Sequence, residues 1–122
     1  MDNKDFYRGY EGAPEVIFTR RNNQGEILEK INLWEGFFSD MMDAIPLGKE
    51  GVWEGISVHY QFETGWFESS PWEYVDFDLF LKQLENLDTT KFKFHTIPVF
   101  EAILGLVQNC KKLSHRLFIE QD

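Results

Sequence analysis

The side chains that most often carry catalysis or bind metal ions are few in this chain, and their spacing matches no metal-ligand motif. His59, His95, His115 and Cys110 show no C-x-x-C or H-E-x-x-H spacing. Glycine-rich phosphate loops and the G-x-S-x-G nucleophile motif are also absent from the sequence. We therefore expect no metal, no cofactor and no enzymatic activity.

Carboxylates are the one reactive group that is abundant. A glycoside hydrolase needs two of them, but 21 Asp and Glu residues offer many accidental pairs, so their number does not indicate catalysis. His59 is expected on the polar face of a strand, as a solvent- or partner-facing imidazole rather than a catalytic base. Cys110 is expected to be a buried thiol on a helix.

The negative charge of the chain is concentrated in its middle. The whole chain carries a net charge of −9, and residues 33–90 hold twelve acids against only Lys49 and Lys82, a net of −10. All four tryptophans lie in the same stretch. Carboxylates around aromatic rings suit the capture of a basic partner, because the charges steer the encounter and the rings supply contact energy. The twelve acids are Glu35, Asp40, Asp43, Glu50, Glu54, Glu63, Glu68, Glu73, Asp76, Asp78, Glu85 and Asp88.

Length and composition limit the class of protein. A chain of 122 residues fits one domain, and 43% hydrophobic residues with 27% charged residues are typical of a globular fold. A pI near 4.7 argues against binding to nucleic acid or to an anionic membrane. The N-terminal residues lack the pattern of a secretory signal, and a single cysteine forms no internal disulfide. We therefore expect a cytoplasmic protein.

The first third of the chain predicts a hairpin and a helix. Residues 1–14 are expected to form an irregular lead-in, and Asn22–Gly25 is a turn between strands over 15–20 and 26–31. Apolar residues at helical spacing then predict a helix over 33–45, with Asn32 as its N-cap and with Asp40 and Asp43 facing away from its apolar stripe.

The remainder predicts further strands and two more helices. Period-two alternation over 52–64 predicts a strand, and 66–68 is expected to form a return strand. Asp76 is the expected N-cap of a helix over 77–87. A short edge strand at 92–94, a helix opened by Thr96 and Pro98, and a strand at 117–119 complete the prediction. Together these elements predict a single α+β domain with a mixed or mainly antiparallel sheet and about three helices.

The segment 63–78 is the predicted binding site. It holds five acids and no base, together with two tryptophans, a tyrosine and several turn-forming residues. Aromatic side chains in such loops are harder to bury than those on helix faces, and interface centres favour them. The alternative is that the tryptophans belong to the core and the acids to an ordinary solvated surface. The candidate partner-binding residues are Glu63, Trp66, Glu68, Trp72, Glu73, Tyr74, Asp76 and Asp78.

In size, acidity and α+β pattern, the chain resembles the immunity proteins of bacterial contact-dependent growth inhibition and polymorphic-toxin systems. The resemblance is general and rests mainly on the acidic, tryptophan-rich stretch 53–78. It implies a cytoplasmic protein whose partner is a basic toxin domain, often a nuclease, and whose acids occupy the place of the phosphates. The second alternative is a non-catalytic adaptor for another basic protein, and the third is a small enzyme with a dispersed carboxylate or histidine site.

Overall fold

The predicted hairpin is present and forms the centre of the sheet. Its two strands pair antiparallel with Phe18 opposite Ile31. Asn22 closes the turn, because its side-chain oxygen accepts hydrogen bonds from the backbone N–H groups of Gln24 and Glu26, at 3.0 and 2.9 Å. An Asn that bonds to the backbone ahead of it is a common way to build such a turn.

The computed structural model describes residues 2–122 and places this hairpin in a five-stranded sheet of order β1-β3-β2-β5-β4. Strand β1 runs parallel to β3 and the other neighbours are antiparallel, so the sheet is mixed. The predicted single α+β domain is confirmed, with four helices. The elements are β1 (Asp2–Phe6), β2 (Glu15–Arg21), β3 (Ile27–Trp34), α1 (Glu35–Asp43), α2 (Ile56–Phe62), β4 (Trp72–Tyr74), α3 (Phe77–Glu85), α4 (Ile97–Leu113) and β5 (Arg116–Gln121).

The core lies between one face of the sheet and the helices. Burial alternates along the central strands, so that one face is buried and the other is partly exposed. Two predicted helices are confirmed: α3 begins after Asp76, whose carboxylate accepts from the N–H of Leu79 at 3.1 Å, and α4 begins after Thr96. The fully buried residues contributed by the strands and these two helices include Val16, Phe18, Ile31, Leu33, Phe80, Leu84, Leu106, Val107, Leu117 and Ile119.

The expectation of an irregular lead-in over 1–14 is wrong for residues 2–6, which form β1 and pair with 29–33 of β3. Met1 lies outside the described residues. The strand is short and its first four residues are exposed, so the sequence carries no alternating pattern to reveal it. Its conformation depends on backbone pairing with a distant part of the chain, a tertiary effect that local propensity does not encode.

The predicted strand over 52–64 is also wrong, because this segment contains helix α2. Its alternating apolar residues do not share a buried face: Val52 is 54% exposed and Phe62 is 66% exposed, whereas Ile56 is fully buried. Ile56 and half-buried Tyr60 lie four residues apart, the spacing of neighbours on a helix face. Gly55 before the helix has φ of +57°, which favours glycine.

Helix α1 begins at Glu35, two residues later than predicted, and its buried face includes Asp40. Asn32 belongs to β3, where its side chain donates to Glu15 at 3.0 Å, and the N-cap position falls on Trp34 without a side-chain cap. Asp40 was expected on the exposed side, but it is only 8% exposed. Its carboxylate accepts from the hydroxyl of Thr96 at 2.6 Å and from the N–H of Phe94 at 3.0 Å. Buried carboxylates need such donors, so Asp40 holds the segment before α4 against α1.

Two short predicted strands are absent. Residues 66–68 lie in and just after a 3₁₀ turn over Gly65–Phe67, and 92–94 form no strand because their N–H groups at 93 and 94 bond to Asp40. The strand at 117–119 is confirmed within β5. Strand β4, which was not predicted, pairs with β5 and forms one edge of the sheet.

Candidate functional site

The predicted site over 63–78 does not form one exposed surface. Trp66 is 2% exposed and Tyr74 is 6% exposed, so both rings belong to the core and are not surface anchors. Trp66 packs edge-on against Phe38 with ring centroids 5.4 Å apart, and Tyr74 packs edge-on against Phe80 at 5.8 Å. These ring contacts bury both side chains, although turn-forming residues lie beside them in the sequence.

Trp72 is half-buried beside Trp66 and His59. Its ring centroid lies 5.7 Å from that of Trp66 and 4.5 Å from that of His59. His59 lies on α2 and not on the polar face of a strand, and its Nδ1 is 2.9 Å from the hydroxyl of Thr64. Burial lowers the pKa of His59, although the nearby Glu68 opposes this effect. Trp72 and His59 therefore form a packed aromatic pair and not an open site.

Three of the predicted acids are committed to contacts within the protein. Glu73 accepts two hydrogen bonds from Arg116, both at 2.9 Å, and this pairing lowers the pKa of Glu73. Asp78 lies 2.6 Å from Lys111, and Asp76 caps α3. Of the predicted acids, Glu63 and Glu68 are exposed and form no ion pair with any residue that the structure describes.

Glu63 lies in a groove of about 340 Å³ formed by α1, α2 and the turn that follows. We call this feature the acidic groove, because three carboxylates and no base are among its lining residues. Its lining is Glu35, Phe38, Ser39, Asp43, Tyr60, Gln61, Glu63, Phe67 and Gln121.

Hydrogen bonds hold two of the groove carboxylates in place. The hydroxyl of Tyr60 donates to Asp43 at 3.0 Å, and the side-chain amide of Gln121 donates to Glu35 at 3.4 Å. Burial raises the pKa of Tyr60, and the nearby Asp43 and Glu35 add to this effect, so the phenol stays protonated and remains a donor. Neither carboxylate is neutralised by a base from residues 2–122.

The acidic groove continues into a second depression, and one exposed aromatic side chain lines both. Phe67 and Gln121 line both depressions, and Glu68 lines the second. Phe67 is 39% exposed. The arrangement combines negative charge with an accessible ring, which suits the binding of a cationic side chain from a protein.

The sequence contains one signal for the groove outside the segment 63–78. Glu35, Ser39 and Asp43 follow one another at intervals of four residues, the spacing of one face of a helix, inside the segment predicted as a helix. Tyr60 was not expected beside them, because the segment that contains it was predicted to be a strand. The groove forms only because this segment is helix α2.

Comparison of the chain with models of known protein families, with curated proteins and with solved structures gives no match. Within residues 2–122, no three His, Cys, Asp or Glu side chains are grouped so that they could hold a metal ion. None of the helices in this part of the chain has the length and apolar character needed to cross a membrane.

Proposed function

We propose that this protein is an immunity protein, which binds a basic toxin domain and blocks it without catalysis. The observation that carries the proposal is the acidic groove, in which Glu35, Asp43 and Glu63 face one cleft with no base among its lining residues. The general resemblance to immunity proteins of contact-dependent growth inhibition systems supports the choice of a toxin as the partner.

The contacts in the groove favour a lysine or arginine side chain as its occupant. Three carboxylates and no base line the groove, so its local charge attracts a cationic side chain. The bonds from Tyr60 and Gln121 already orient two of the carboxylates, so less side-chain freedom is lost on binding. An arginine offers several donors to such a site and also stacks on an aromatic ring such as that of Phe67.

Glu63 and Glu68 keep the role predicted for them, as acids that attract a basic surface. Trp66 and Tyr74 belong to the core, and Phe67 takes the place of the exposed aromatic contact. The cytoplasm is the expected location, because a toxin that attacks intracellular nucleic acid must be inhibited there. An adaptor for another basic protein would use the same groove, and the partner's toxicity distinguishes the two functions.

The genetic test is rescue of growth. We expect the gene next to this one to encode a toxic, basic domain, and we expect co-expression of this protein to restore growth of cells that produce the domain. The double variant Asp43→Lys with Glu63→Lys should lose rescue, because two of the three negative charges in the groove are reversed.

The matched control is Glu85→Lys with Glu101→Lys, which changes the net charge equally at exposed positions on α3 and α4. This control should still rescue growth, and circular dichroism should show both variants folded. A non-toxic neighbour that nonetheless binds through the groove would favour the adaptor. Full rescue by the groove variant would refute binding through the groove.

A further inference from the structure

A second cleft lies between the loop after α1 and helix α3, away from the acidic groove. It has a volume of about 450 Å³ and shares no lining residue with the groove. Ile45, Pro46, Leu47 and Leu79 form an apolar wall. We call it the loop pocket. Its volume falls within the range of small-molecule sites in proteins.

The loop pocket holds the only two bases of the acidic middle. Lys49 and Lys82 are the sole basic residues in 33–90, and both line this pocket. They come from different elements, the loop after α1 and helix α3, and neither forms an ion pair with a described residue. Two lysines that form no ion pair and line one partly apolar cleft provide a place for an anion.

Contacts within the protein hold the walls of the loop pocket together. The side-chain amide of Gln83 donates to the backbone oxygen of Glu54 at 3.0 Å, which connects α3 to the segment before α2. The Glu54 side chain packs so closely on Gly48 that a Cβ there would overlap its carboxyl carbon. Leu47 is 49% exposed, so a ligand in the pocket would cover apolar surface that the chain leaves open to water.

We propose that the loop pocket binds a small amphiphilic anion, a molecule with an apolar body and one carboxylate or sulfonate group. The apolar body would lie on Leu47 and Leu79, and the anionic group would lie between Lys49 and Lys82. Glu54 is the one carboxylate in the lining, which leaves the pocket with a net positive charge. Because the protein as a whole repels anions, the apolar contact supplies the affinity and the lysines supply the selectivity.

The test is a fluorescence titration with 8-anilinonaphthalene-1-sulfonate, which has an aromatic body and one sulfonate. We expect saturable binding at one site, and an affinity lower by about tenfold in Lys49→Glu with Lys82→Glu, since two modest attractions become repulsions. The uncharged N-phenyl-1-naphthylamine should bind both proteins equally. A Leu47→Ser variant should weaken both probes.

The control variant is Lys91→Glu with Lys112→Glu, two exposed lysines outside the pocket. It should bind the sulfonate as the unchanged protein does. Thermal melting in the presence of the probe should show a raised Tm, which excludes binding to unfolded chains. The proposal would be overturned if binding of the sulfonate did not saturate or if both charge variants lowered its affinity equally. It would also be overturned if the pocket variant left that affinity unchanged.

Discussion

Replacing Trp66 with Ala should lower the free energy of unfolding by about 3–5 kcal/mol, as other large-to-small changes at buried aromatic residues do. The ring is 2% exposed and lies among Phe38, Phe67 and Trp72. Its indole N–H has no hydrogen-bond partner among the described residues, so the loss comes from packing and from the cavity that remains. Urea denaturation followed by circular dichroism measures this free energy.

The neighbouring Phe67 provides the matched comparison. Its ring centroid is 5.3 Å from that of Trp66, but its side chain is 39% exposed and lines the acidic groove. Phe67→Ala should therefore cost less than about 1 kcal/mol of stability, in the range of surface substitutions, and should weaken partner binding instead. If Trp66→Ala were tolerated while Phe67→Ala unfolded the protein, the assignment of these two rings to core and surface would be reversed.

Replacing Glu29 with Gln should also destabilise the protein by about 3–5 kcal/mol, because it removes one partner of a buried ion pair. Arg20 and Glu29 face each other across β2 and β3, with Nε and Oε1 at 3.0 Å and side chains that are 12% and 4% exposed. Arg20 also contacts Nδ1 of His115 at 2.7 Å. The neutral amide would leave the guanidinium charge buried without a counterion.

The same chemical change at a more exposed pair is the control. Glu73 and Arg116 form a bidentate pair with side chains 32% and 40% exposed. Glu73→Gln should cost only about 0–1 kcal/mol, because water already screens this interaction. Equal losses from Glu29→Gln and Glu73→Gln in the same denaturation experiment would show that burial does not determine the strength of these pairs.

The sequence predicted elements whose signals are local. The turn residues of 22–25 predicted the hairpin, Asp76 predicted the start of α3, and Thr96 with Pro98 predicted the start of α4. In each case a cap, a turn former or a helical apolar stripe is contained within a few residues. Such patterns are sufficient because they stabilise the same local conformation in any fold.

The elements that the sequence did not predict depend on contacts between distant residues. Strand β1 exists because it pairs with β3, and Asp40 is buried because the segment before α4 supplies its donors. Period-two alternation at 52–64 was accidental, since exposed Val52 and Phe62 contributed to it. A seven-residue helix is too short for its apolar periodicity to distinguish it from a strand.

The residues predicted for the site are only partly brought together by the fold. Acids and aromatics from the middle of the chain do meet in one groove, yet only Glu63 and Glu68 of the predicted residues remain available as unpaired acids. Glu35 and Asp43 come from α1 and meet Glu63 only because α2 is a helix. Trp66, which was predicted to be a surface anchor, is buried, whereas Phe67 next to it is exposed.

The most direct test of the acidic groove is the rate of association with the proposed basic toxin domain, measured at two salt concentrations. We expect the rate to fall by about tenfold or more between 50 and 300 mM salt, because exposed charges are screened beyond about 8 Å at physiological ionic strength. Asp43→Lys with Glu63→Lys should slow association at low salt, and Glu85→Lys with Glu101→Lys should slow it much less. An association rate that is unchanged by salt and by the groove variant would contradict capture through this surface.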